Sequence, residues 1–148
     1  MSVKRLEHVG VVVEDLAAAT AFFTALGLEA DGPATVAGEL VDRINGLAGV
    51  RADVVMLRAP EGDAQLELAA YRSPSYAGDD AARAPAPPNA PGLRHVLFVV
   101  DDIEESLAAL QAHGGELVGE LVHYEGSYLL CYVRGPAGII VELAEKVA

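Results

Sequence analysis

Leu6-Glu7-His8-Val9-Gly10-Val11-Val12-Val13-Glu14-Asp15-Leu16 aligns without a gap on Leu93-Arg94-His95-Val96-Leu97-Phe98-Val99-Val100-Asp101-Asp102-Ile103, and this duplication decides the fold. A second pair also repeats, one residue shorter in the later copy: Arg58-Ala59-Pro60-Glu61-Gly62-Asp63-Ala64-Gln65-Leu66-Glu67-Leu68-Ala69 and Arg134-Gly135-Pro136-Ala137-Gly138-Ile139-Ile140-Val141-Glu142-Leu143-Ala144. Each half therefore opens with a His in one apolar run and closes with a Glu in another. Two imidazoles and two carboxylates placed by an internal repeat point to a metal site made of His8, Glu67, His95 and Glu142.

Working outward from the paired runs, residues 5–13 and 93–100 are short, Val-rich and bounded by charge, which reads as strand. A helical pattern follows each, with Leu16, Ala19, Phe23 and Leu26 in the first half and Ile103, Leu107 and Leu110 in the second. Gly27 and Gly114-Gly115 supply the stops, because glycine tolerates the left-handed conformation that ends many helices. The remaining strands are expected at 35–37, 52–59 and 63–70, then at 116–119, 127–134 and 138–144, with turns at Pro60 to Asp63 and Pro136 to Gly138. Each half is thus a βαβββ module, and the insert at 38–50 is expected to hold a short helix around Leu40 to Ile44.

The fold class expected is α+β: two such modules forming a curved eight-stranded mixed sheet, with helices on its outer face. Residues 1–148 form a single domain in this reading, with a first module over 1–71, a Pro-rich linker over 72–92 and a second module over 93–148.

Strand alternation then places the polar groups. His8 shares a face with Leu6, Gly10 and Val12, whereas Val9, Val11 and Val13 form the side suited to packing under a helix. Gln65, Glu67 and Ala69 share one face of their strand, and Ile140, Glu142 and Ala144 share the matching face of the last. Taken singly, each Glu could be a solvated surface group and each His a satisfied core residue. All four obey the same repeat, however, and that favours a shared ion.

Composition excludes several classes. A net charge of −12 opposes binding to a phosphate backbone, so nucleic acid is not an expected partner. The apolar runs fall well short of the roughly 20 residues that a membrane span needs. Residues 1–5 lead straight into a strand-like run and have no cleavage pattern, so a cytoplasmic location is expected. Cys131 is the sole cysteine, which excludes an internal disulfide and a Cys-rich zinc site; a buried packing role is expected for it.

The duplicated βαβββ pattern, the paired L-x-H-V strands, the QLELAAY run and the closing RGPAGIIVEL make the chain resemble the vicinal oxygen chelate superfamily, which includes glyoxalase I and methylmalonyl-CoA epimerase. The resemblance spans nearly the whole chain and weakens only in the insert and the linker. It implies one divalent metal ion (Zn, Ni, Co, Mn or Fe), with His8, Glu67, His95 and Glu142 as ligands. Gln65 competes with Glu67 for the first module's ligand position, since epimerases of this kind often carry Gln there. The resemblance further implies a homodimer and a small-molecule substrate.

A mixed nitrogen and oxygen set suits any of those ions. Four protein ligands around a six-coordinate ion leave two positions for adjacent substrate oxygens, and chelation there favours loss of a proton from carbon next to a carbonyl. A carboxylate at the site can serve as the base. By resemblance to glyoxalase I, Glu142 is the first candidate and Glu67 the second. The expected function is therefore a metal-dependent isomerase or lyase. Two alternatives stand beside it: a non-haem iron dioxygenase using two His and one carboxylate, and a non-catalytic small-molecule-binding resistance protein. Structural roles are expected for His113 and His123 and surface ion pairs for Arg58 and Arg134; Tyr124, Tyr128 and Tyr132 are candidates for the hollow, at least one of them expected in the core.

Overall fold

The computed structural model describes residues 2–78 and 85–147, so part of the expected linker, residues 79–84, lies outside the described residues. Two compact units divide the chain, Met1–Gly78 and Asp79–Ala148, each carrying one copy of the repeat.

In the first unit the order is β1 (His8–Val12), α1 (Leu16–Leu26), β2 (Glu29–Ala30), β3 (Ala34–Ala37), α2 (Glu39–Asn45), β4 (Arg51–Arg58) and β5 (Gln65–Ser73). The sheet runs β1-β5-β4-β2, with β3 also on β4. Strand β1 pairs parallel with β5, and the other pairings are antiparallel. The second unit repeats this with β6 (His95–Val99), α3 (Ile103–Ala112), β7 (Glu116–Tyr124), β8 (Tyr128–Arg134) and β9 (Ile140–Lys146), in the order β6-β9-β8-β7. The α+β class and the two βαβββ modules are as expected. The described strands number nine rather than eight, because a two-residue strand at Glu29–Ala30 was not expected and is separated at residues 31–33 from the one expected at 35–37. Pro33 there has no N–H to give to a ladder.

Both helices start where the sequence places them. The Asp15 carboxylate accepts from the Ala18 N–H and that of Asp102 from the Glu105 N–H, each filling an otherwise unpaired donor of the first turn. Gly27 ends α1 in the left-handed region. In the insert, α2 forms as expected, and Asp42 accepts from the N–H groups of Gly49 and Val50, fixing the return into β4.

The core of each unit lies between its helix and one face of its sheet. Phe22 and Phe23 meet edge to face at 5.1 Å, over Leu57, Leu66 and Leu68. In the second unit Ile103 and Leu110 are buried along with Val133, Val141 and Leu143. Cys131 is in this layer too, as expected; burial is the main cause that pushes its thiol up, and the Glu142 charge adds to it.

Two boundaries differ from expectation. Strand β5 continues to Ser73, beyond the expected module end at residue 71. Strand β7 continues from residue 119 to Tyr124, where the sequence reading stopped at Gly119. Gly119 has φ +76° and sits in a break of register between Val118 and Val122, so it marks a bulge that the strand passes through.

Candidate functional site

The faces turned away from the helices carry the site residues. In the first unit β1 and β5 run parallel, with His8 opposite Gln65 and Gly10 opposite Glu67. Glu67 is thus two residues along from the position facing His8, on the same side of the sheet. Its Oε2 lies 3.8 Å from His8 Nε2. Gln65 turns elsewhere: its Nε2 donates to Glu7 Oε1 at 3.4 Å. The other Glu7 oxygen meets His8 Nδ1. That hydrogen bond is the main cause holding the His8 imidazole above its ordinary pKa; burial works against it, and the charges of Glu7 and Glu67 add to it.

The second unit repeats the arrangement. His95 lies opposite Ile140 and Leu97 opposite Glu142, the same two-residue offset in the same parallel pairing. His95 Nε2 is 3.4 Å from Glu142 Oε1, and the Glu142 side chain is only 14% exposed. The surroundings of the imidazole differ from those of His8. Arg94 takes the place of Glu7 in the repeat, and the imidazole instead has the Tyr132 ring at 5.2 Å with a 32° tilt.

Other candidates separate clearly. Tyr132 pairs with Glu142, and Tyr124 pairs with Tyr128, which in turn lies opposite Lys146, so all three tyrosines share the sheet face of His95 and Glu142. This corrects the expectation that at least one packs in the core; register on β7 past the bulge puts Tyr124 on that side. His123 is on the opposite side of β7, and His113 ends α3, where its backbone N–H bonds the Leu110 carbonyl. Arg58 forms ion pairs with Asp31 and Glu29. Arg134 does not match the expected ion pairing: its Nη1 donates to the carbonyls of Ala86 and Gly138 at 2.8 and 3.0 Å.

Glu7 was absent from the candidates of the sequence reading. Strict alternation would place it on the face opposite His8, but it precedes the first paired residue of β1, tied to β5 by its backbone carbonyl, which accepts from the Gln65 N–H at 3.0 Å. A carboxylate next to a His is too common a pair to signal this role by itself.

The donor set fits a divalent ion. Two ligands bound about 2.1 Å from one ion stand roughly 3.0 to 3.4 Å apart, depending on whether the geometry is octahedral or tetrahedral. The separations of 3.8 and 3.4 Å are close to that spacing. Glu7 meets His8 Nδ1 and leaves Nε2 on the side of Glu67, and a carboxylate on the far nitrogen is the usual outer partner of imidazoles that ligate metals. Among the described residues no group of three or more His, Cys, Asp and Glu side chains is gathered for an ion, so each unit by itself offers a pair. No helix among them is long and apolar enough to cross a membrane.

Comparison with known proteins agrees with the repeat. A glyoxalase family protein from Bacillus cereus is 40% identical, covering 100% of this chain and 97% of that one, with a TM-score of 0.92. The trypanothione-dependent glyoxalase I of Leishmania major shares the fold at 22% identity, covering 97% of this chain and 87% of that one, with a TM-score of 0.61. So does TnmS3, an antibiotic binding protein from Streptomyces sp. CB03234, at 18% identity, 99% coverage of each chain and a TM-score of 0.59. No curated protein matches the sequence. The profile that does match, over residues 5–143, is that of the Glyoxalase/Bleomycin resistance protein/Dioxygenase superfamily, and the chain belongs to that superfamily.

Proposed function

We propose that this protein is a divalent-metal-dependent isomerase or lyase that removes a proton from carbon next to a carbonyl of a small chelating substrate. The observation that carries the reading is the repeated His–Glu pair: the same offset on the same parallel strand pairing, with Nε2 facing the carboxylate in both units. His8, Glu67, His95 and Glu142 are the proposed ligands, one ion per chain. When bound, the ion supplies Lewis-acid stabilisation of the negative charge that builds on the substrate oxygen.

The protein's own groups handle the proton. Glu142 is the proposed base, for its carboxylate is largely screened from solvent and held beside His95. Glu67, more open to solvent, is the second candidate. Returning the proton to the same carbon from the opposite side gives epimerisation, and returning it to the neighbouring carbon gives redox isomerisation. A carboxylate beside each His favours this set over the two-His, one-carboxylate arrangement of iron dioxygenases.

The test is elemental analysis of the untagged protein followed by deuterium exchange with 2-oxo acids, acyl-CoA thioesters and hemithioacetals. Wild type should hold about one divalent ion per chain, and Glu142→Gln should slow exchange by at least about 10²-fold. Absence of a bound ion and of exchange in all three substrate classes would refute the proposal. A second reading, sequestration of a small molecule without chemistry, is favoured by the exposed Tyr124 and Tyr128 on the same sheet face as Glu142. Ligand binding that survives Glu142→Gln, with no exchange in wild type, would establish it.

A further inference from the structure

The two His–Glu pairs repeat in backbone but not in surroundings. Arg58 and Arg134 correspond in the repeat, so Met56 and Tyr132, two residues earlier in each copy, correspond as well. The strand register agrees: Met56 lies opposite Glu67 on β4, and Tyr132 lies opposite Glu142 on β8. The residue before each histidine also changes, from Glu7 to Arg94. The first unit therefore has a carboxylate against its imidazole and a thioether across from its glutamate. In the second unit that carboxylate is gone and a phenol ring stands in the thioether's place.

An imidazole on an open sheet face needs something to fix its plane, because its χ2 torsion is broad and a ring turned about it no longer aims Nε2 at one point. Glu7 meets that need for His8 through Nδ1. The Arg94 side chain has only donors and cannot meet it for His95. The Tyr132 ring lies 5.2 Å from the His95 ring, centroid to centroid, with 32° between their planes, a separation within the range of stacked aromatic pairs. The glutamates differ in the same sense: the Glu142 side chain is 14% exposed opposite Tyr132, against 34% for Glu67 opposite Met56. His8 and His95 are about equally exposed, so the added cover falls on the carboxylate.

We infer that Tyr132 is the positioning residue of the second pair: its ring fixes the plane of the His95 imidazole with Nε2 toward Glu142 and screens that carboxylate from water. What the positioning achieves rests on the proposed metal site, whereas the stacking belongs to the metal-free protein. The half-sites are thereby unequal, a hydrogen bond orienting one imidazole and an aromatic face the other.

Proton NMR of the metal-free protein reads the stacking. The chain has four histidines, and the His95 signals are those lost in His95→Gln. An aromatic face displaces the proton signals of a ring above it upfield, so His95 should be displaced in wild type and in Tyr132→Phe and should return toward the positions of His113 and His123 in Tyr132→Met, which installs the first unit's residue. Competition for Co²⁺ against a chelator of known affinity reads the positioning. Tyr132→Phe and Met56→Leu should stay within about twofold of wild type, and Tyr132→Met should bind roughly three- to tenfold more weakly. Circular dichroism and melting check the fold of each variant. Undisplaced His95 signals in wild type overturn the inference without any variant. So does Co²⁺ affinity unchanged in Tyr132→Met, and so does an equal loss in Tyr132→Phe, which assigns the effect to the hydroxyl. A wild type that takes up no Co²⁺ fails at a different point: the proposed metal site falls, and positioning for it falls too, whatever the NMR signals show.

Discussion

Replacing Glu7 by Gln tests the site through a residue that is not itself a proposed ligand. The Glu7 carboxylate accepts from His8 Nδ1 and so favours the tautomer that leaves Nε2 for the proposed metal. Removing such an outer carboxylate costs metal affinity roughly 10- to 100-fold in characterised sites. Glu7 and His8 are each about half exposed, and water weakens the pair, which points to the lower end, about tenfold. Arg94, the repeat counterpart of Glu7, has no acceptor to offer His95, so Arg94→Gln should leave affinity within about twofold. The assay is competition for Zn²⁺ or Co²⁺ against a chelator of known affinity, with thermal melting of the metal-free proteins as control. Melting of Glu7→Gln should stay near wild type, since exposed substitutions usually shift stability by less than about 0.5 kcal/mol. Equal metal affinity for Glu7→Gln and wild type, or equal losses in the Glu7 and Arg94 variants, would refute the reasoning.

Leu143→Ala removes a fully buried side chain beneath α3 and should cost about 2 to 5 kcal/mol in urea unfolding, whereas Leu40→Ala, on the exposed face of α2, should stay within about 0.5 kcal/mol. Asp102→Ala removes the α3 cap and should cost about 1 kcal/mol, moderated because Glu145 also accepts from the Ile103 N–H; a double variant with Glu145→Gln should lose more than Asp102→Ala alone. The carboxyl of Asp53 is held below its ordinary pKa, first by its hydrogen bond with Arg72 and then by that with Thr35. Its stabilising contribution is therefore complete above the ordinary carboxylate range and disappears as pH falls through the depressed value, so Asp53→Asn should flatten the acid limb of a melting-temperature profile and leave its neutral-to-alkaline shape unchanged.

The repeat made most of this architecture legible. Because His8 and His95 recur at one position of a β-run, and Glu67 and Glu142 at one position of another, alternation alone put each pair on the face away from the helix, where the structure places them. Helix limits were readable for a local reason: Asp15, Asp102 and Gly27 act on the turn next to them. What escaped depended on partners distant in sequence. Gly119 looks like a strand terminator until β8 is there to carry the ladder past a bulge. The side taken by Tyr124 follows from its pairing with Tyr128 beyond that bulge, a contact between strands that the sequence does not show. Arg134 found carbonyls of Ala86 and Gly138 where composition suggested acidic neighbours, and the Glu7 contact arose from a residue just outside the paired strand.

The offset pairing of His with Glu ties the proposed metal site to the last stage of folding. Each pair joins the opening strand of its unit to the closing one, so neither forms until the whole unit has been assembled around a long chain closure, one of the slower events in folding. A nascent or half-folded unit displays isolated imidazoles and carboxyl groups but no matched set, so for the proposed site cation capture in a refolding experiment becomes a clock for the final strand closing.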